Sequence, residues 1–256
     1  MTRGLVRQVL VVVATIAVLV INALANALPL NGLTTGEISD RFDVYFVPAG
    51  YVFAIWGVIY LALLGYTIYQ ALPSKRDDSR MQHIGYVYIV SSIANIAWLF
   101  LWHYQVFVPT LVAMFTLLGC LITIYLIARI GRERVSTAAK WLVHIPFSIY
   151  LGWITVATIA NVTDVLDYVG WNGWGISPEI WMILVLIVAT AIASTVAYTR
   201  RDIAYSLVIV WAFIGIAVKQ AAVTAVVIPT ALATVVTVLF LALGQQQPAA
   251  APAETT

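Results

Sequence analysis

The sequence predicts an all-α integral membrane protein with eight transmembrane helices. Three observations carry that expectation. The chain of 256 residues is 62% hydrophobic and 9% charged, against about 25% charged residues in a soluble domain. Its apolar runs are about 20 residues long, the length a helix needs to cross the hydrocarbon core. Those runs are also apolar on all sides, whereas a membrane barrel alternates apolar and polar residues over strands of about 10. Lipid offers the backbone no hydrogen-bond partners, so only helices and closed barrels span it. Helices fit this sequence.

Run length and charge gaps place the spans near residues 5–28, 48–72, 83–104, 106–128, 139–161, 177–198, 203–220 and 224–244. The first follows Arg3 and Arg7 and ends near a small-residue Ala25-Asn26-Ala27 stretch. It exceeds the h-region of a signal peptide, so it reads as an uncleaved span. Almost nothing joins the third and fourth spans, and the seventh is short. The Gln-, Pro- and Ala-rich stretch 245–256 is expected to be a disordered cytoplasmic tail.

Charge sets the orientation. With the N-terminus inside, the inner segments hold Arg3, Arg7, Lys75, Arg76, Arg80, Arg129, Arg132, Arg134, Lys140, Arg200 and Arg201, eleven of the 13 basic residues. The outer segments hold Arg41 and Lys219. Basic residues favour the cytoplasmic side, so both termini are expected there, in a bacterial or archaeal plasma membrane. The net charge of +2 reflects this topology and points to no nucleic acid. Two outer segments are long, 29–47 and 162–176, and each is either an interfacial loop or a lid over a cavity.

The spans are poor in chemistry. No Asp, Glu or Arg is expected in the middle of one, which argues against an ion-coupled relay. Lys219 falls late in span seven, but span three offers no carboxylate counter-ion for a retinal Schiff base. The single cysteine, Cys120, excludes an internal disulfide framework and reads as a small buried hydrophobe. His103 and His144 lie near span ends, either hydrogen-bonded at the interface or placed to ligate haem iron. No Ser-His-Asp set, P-loop, paired carboxylates or metal-spaced cluster appears, so no enzyme is expected.

Amides and aromatics remain. Asn22 and Asn26 share one face of span one; Asn95 and Asn161 lie in spans three and five. In lipid each must find a partner, on another helix or on a ligand. Of nine Trp, an interfacial belt accounts for Trp102, Trp141, Trp171, Trp174 and Trp181. Trp56, Trp98 and Trp153 fall within spans, as packing or as walls for a flat apolar ligand.

The stretch Pro48-Ala-Gly-Tyr-Val-Phe-Ala-Ile-Trp56-Gly-Val-Ile-Tyr60 resembles the second-helix signature of the tryptophan-rich sensory protein family (TspO/MBR, the translocator protein family). Asn95-Ile-Ala-Trp98 resembles its Asn-x-x-Trp, and Trp153 to Asn161 resembles its helix-five Trp-x3-Ala-Thr-x2-Asn. The three stand in the family's order. Tyr51 replaces a Trp, the second helix-two proline is missing, and Pro146 lies farther from Trp153 than in the family's pattern. The resemblance covers residues 5–163, and the last three spans have no counterpart in it.

The resemblance implies a TspO-like five-helix bundle over 1–163, followed by three additional helices over 164–244. It also implies a pocket between the helices built from Trp56, Asn95, Trp98, Trp153, Ala157 and Asn161. By that likeness Trp56 and Trp153 flank a planar ligand, Asn95 meets a polar edge and Ala157 keeps a wall thin. The ligand implied is a porphyrin or haem-related tetrapyrrole, with no cofactor required and a homodimer in lipid as the form. The functions to weigh are a receptor or carrier, an uncoupled facilitator, and a non-catalytic regulatory partner.

Overall fold

The computed structural model describes residues 3–28 and 30–247, and the side chain of Asn26 lies outside that description. Among these described residues ten α-helical segments follow in order: α1 (Arg3–Ala27), α2 (Thr35–Ser39), α3 (Ile55–Ala71), α4 (Ser79–His103), α5 (Phe107–Ile127), α6 (Thr137–Ala139), α7 (Ile145–Tyr168), α8 (Pro178–Arg200), α9 (Ile203–Lys219) and α10 (Thr224–Gln245). Among the described residues there is no strand. Seven segments of the described residues are long and apolar enough to cross a membrane, and α9 is a shorter apolar helix. Its 17 residues reach about 26 Å at 1.5 Å per residue, just short of the hydrocarbon thickness. The all-α membrane architecture of about eight helices is therefore the observed one. Residues 248–256 of the expected tail lie outside the described residues.

Five helices close into a ring. α1 packs on α3 and α4, α4 on α5, α5 on α7, and α7 back on α3. At the end bearing the 73–78 loop the ring is filled. Tyr66, Tyr88 and Phe147 meet edge-on at centroid distances of 4.8–6.1 Å. Thr15 Oγ1 lies 2.7 Å from Thr67 Oγ1 and 3.0 Å from the Tyr88 hydroxyl, tying α1 to both neighbours. Arg7 is wholly buried there, and its Nη2 donates to the Lys75 carbonyl at 3.0 Å.

Local chemistry explains the helix ends. Asp78 caps α4 by accepting from Met81 N, and Asp202 caps α9 by accepting from Tyr205 N. Thr34 and Glu37 form a capping box on α2. The Thr34 amide and hydroxyl donate to the Glu37 carboxylate and hold it below the usual carboxylate range. Pro146 stands in the first turn of α7, directly after a π-helical turn over Lys140–His144. A proline ring crowds the carbonyl four residues back, and the wider turn relieves it.

The last three helices attach through α9, which lies along α7, while α10 packs on α8 and α9. Gly152 permits the approach, since a Cβ there would stand 3.0 Å from the Tyr205 carbonyl. Asp202 fixes the connection. Its Oδ2 accepts from the Tyr125 hydroxyl of α5 at 2.9 Å and from Ser148 Oγ of α7 at 2.5 Å.

Asp202→Ala strands both hydroxyls, each buried. At about 1–3 kcal/mol for an orphaned buried group, it is expected to destabilise the protein by about 3 kcal/mol. Thermal unfolding in detergent measures this, and Asp202→Asn, which keeps an acceptor, should recover part of the loss.

Candidate functional site

The open half of the ring faces away from the Tyr66–Tyr88–Phe147 plug. Trp56 enters on the first turn of α3, Asn95 and Trp98 on the last turns of α4, and Trp153, Ala157 and Asn161 along α7. All six line one cavity of about 50 Å³, together with Phe53, Trp102 and Asp164. A second cavity of about 120 Å³ adjoins it, and Phe53, Trp56 and Trp98 line both. Trp153 stands edge-on to Phe53 and Trp56, at 5.6 and 6.2 Å. The two spaces thus share aromatic rings in their walls.

The amides of this site hold helices together. Asn22 donates to Asn95 Oδ1 at 2.9 Å, and Asn95 Nδ2 donates to the Tyr150 hydroxyl at 3.2 Å, which joins α1, α4 and α7. Trp98 Nε1 donates to Asn161 Oδ1 at 3.2 Å, and Asn161 Nδ2 donates to Thr110 Oγ1 at 2.9 Å, joining α4, α7 and α5. Of the two roles open to an amide in lipid, helix bonding is occupied in both residues. Each keeps one N–H for anything else.

Two buried polar atoms of the cavity residues have no protein partner. Trp153 Nε1 is a buried donor and Asp164 Oδ1 a buried acceptor, and both residues are 2% exposed. Asp164 was missed in the sequence because span five reads as ending near 161. The helix instead continues to Tyr168 and carries Asp164 inward from the expected outer loop.

The first loop covers the cavity. Thr35 and Ser39 of α2 line it. Trp102 Nε1 donates to the Thr35 carbonyl at 3.2 Å. Trp102 is 2% exposed and stacks on Trp98 at 5.3 Å, so it is a cavity residue and not part of an interfacial belt. That correction has a simple cause: one helical turn after Trp98 falls on the same face. His103 is also buried, with Nε2 3.1 Å from Thr35 Oγ1 and Nδ1 3.1 Å from the Leu30 carbonyl. Both ring nitrogens are engaged in fastening this loop, which leaves neither for iron. Among the described residues no group of three His, Cys, Asp or Glu side chains is placed to hold a metal ion.

A family model described as TSPO-like protein matches residues 8–244. The chain belongs to the TSPO-like protein family. The match runs through α8, α9 and most of α10, beyond the stretch whose motifs carry the resemblance. No curated protein and no solved structure matches the chain.

The later helices of this TSPO-like chain also reach the site. Ala49 N donates to the Gly215 carbonyl at 3.1 Å, and Trp211 Nε1 donates to the Val52 carbonyl at 3.2 Å. Tyr51, which replaces the family's Trp, meets Trp211 edge-on at 5.3 Å. Helix α9 therefore braces the 48–54 segment that walls the cavity. Lys219 Nζ adds an ion pair to Asp40 of the covering loop at 2.5 Å.

A Cβ on Gly215 would stand 2.2 Å from Val52 Cγ2. Gly215→Val is therefore expected to cost about 1–3 kcal/mol through overpacking. It should shift tryptophan emission while leaving helical circular dichroism unchanged. An unaltered emission spectrum would show that α9 does not set the position of this wall.

Proposed function

We propose that this TspO-type integral membrane protein is a non-catalytic receptor or carrier for a hydrophobic planar ligand, held between Trp56 and Trp153. The observation that carries the reading is the convergence of the motif residues, from three separate helices, on one tryptophan-walled cavity. Porphyrin-type tetrapyrroles are the first ligands to test, from the sequence resemblance. Ligand pockets ordinarily measure about 300–1,000 Å³, more than either cavity. Even merged, the two spaces stay below that range, so binding a ring of that size requires Phe53, Trp56 and Trp98 to swing aside and the covering loop to move as well.

The test is titration of the detergent-solubilised protein with protoporphyrin IX, followed by quenching of tryptophan fluorescence. Saturable binding at micromolar affinity, about −8 kcal/mol, is expected. Trp153→Ala should weaken it at least tenfold, about 1.4 kcal/mol, without changing thermal stability by a comparable amount. Unchanged affinity in this variant would remove the pocket from the binding reaction.

We place both termini in the cytoplasm and the covered mouth outside. The ion pairs agree with this grouping. Arg80 and Arg129 pair with Glu133 among the inner segments, and Lys219 pairs with Asp40 among the outer ones. In a Cys120→Ala background, an impermeant maleimide is expected to label Asp167→Cys in intact cells and Ser136→Cys after lysis. The reverse pattern would invert the orientation.

A further inference from the structure

We infer that the cavity selects a flat apolar ligand bearing a protonated amine or similar cationic N–H donor, which Asp164 receives. This rests on the pocket reading above and names the chemistry of its ligand. The starting point is where polar groups are left unsatisfied. Asn95, Trp98, Asn161, Trp102 and Thr35 all spend polar atoms on one another or on neighbouring helices. Asp164 Oδ1 and Trp153 Nε1 do not, although both are enclosed. A buried polar atom without a partner costs free energy, and two on residues that line one cavity, one acceptor and one donor, describe the complement of a ligand.

The surrounding charge decides which ligand. The charged groups whose fields reach Asp164 are Lys219 and Asp167. Lys219 is held at 2.5 Å by Asp40, so its charge is shared with another carboxylate. The outer segments and helix ends around it carry Glu37, Asp40, Asp43, Asp167 and Glu179 against Arg41 and Lys219. Such a mouth favours a cationic over an anionic group at the position beside Asp164. A ligand ammonium can donate to Asp164 Oδ1 as a charge-assisted bond, roughly twice as strong as a neutral one. A hydroxyl or carbonyl on the same ligand, or a water, can accept from Trp153 Nε1. Ring faces of Trp56 and Trp98 add attraction for a nearby cation.

One tricyclic ring in three charge states tests this: 9-(aminomethyl)anthracene, 9-anthracenemethanol and 9-anthracenecarboxylate. Each is titrated into the full-length protein in a neutral detergent, with energy transfer from tryptophan as the readout. The amine is expected to bind at least tenfold more tightly than the carboxylate, with the alcohol between. Asp164→Asn, equal in size, should bring the three within about threefold. Should that variant fold poorly, the ranking in the unaltered protein still decides. If the carboxylate binds as well as the amine, or Asp164→Asn leaves the order unchanged, the assignment of Asp164 is overturned while the pocket stands. If no ring binds saturably and protoporphyrin IX does not either, the pocket reading falls and this inference with it.

Discussion

Asn95 is the residue on which the ring of helices most depends. It sits 1% exposed between α1, α4 and α7, accepting from Asn22 and donating to Tyr150. Lipid supplies no substitute partner for an amide, and apolar packing between membrane helices gains nothing from the expulsion of water. Directional bonds of this kind therefore set which helix faces meet. The Trp98–Asn161–Thr110 chain does the same one turn farther out. Between these two chains lies the cavity, so the bonds that hold the ring closed also fix the depth and width of the site.

Much of this was legible because the membrane simplifies the problem. Long apolar runs give the helices, and charge gaps separate them, which is why the short α9 and the near-absent link between α4 and α5 could be read directly. The cavity residues were legible through the family's motifs, whose Trp and Asn stand where only apolar residues are cheap; Ala157 was legible through the motif alone. Asp164 was not, because hydropathy ends a span at the first polar residues, whereas a helix continues as long as its backbone bonds do. Helix α7 runs on past Asn161 through seven more residues to Tyr168. Trp102 was misread for a related reason: Trp near a span end is common at interfaces, whereas here Trp98, Phe42, Phe107 and the α2 segment cover it.

The role of the later helices could not be read from periodicity, since each looks like any other span. Their contribution lies in contacts between residues far apart in sequence. Gly152 lets α9 lie close to α7, and Gly215 lets the 48–54 segment lie close to α9. Because Trp211 and Gly215 bond to backbone of that segment, the wall carrying Phe53 and Trp56 is held from outside the ring. This bracing bears on the missing helix-two proline. A proline stiffens a turn by fixing φ and removing a donor. Here Ala49 and Val52 use their backbone groups to bond α9, and external support takes over what a rigid residue supplies locally.

The distribution of satisfied and unsatisfied groups connects fold to function. Ser194 leaves a hydroxyl unpaired in the groove between α8 and α10, and Arg7, Tyr66 and Gln70 leave atoms unpaired around the plugged end of the ring. Trp153 and Asp164 differ in that their unpaired atoms belong to residues around a shared void. A helix bundle that has solved the pairing problem with Asn22, Asn95, Asn161 and Thr110 had the means to solve it at Asp164 as well. A carboxyl retained there, under a loop fastened by His103 and Trp102, makes sense when its partner arrives with the ligand and leaves with it.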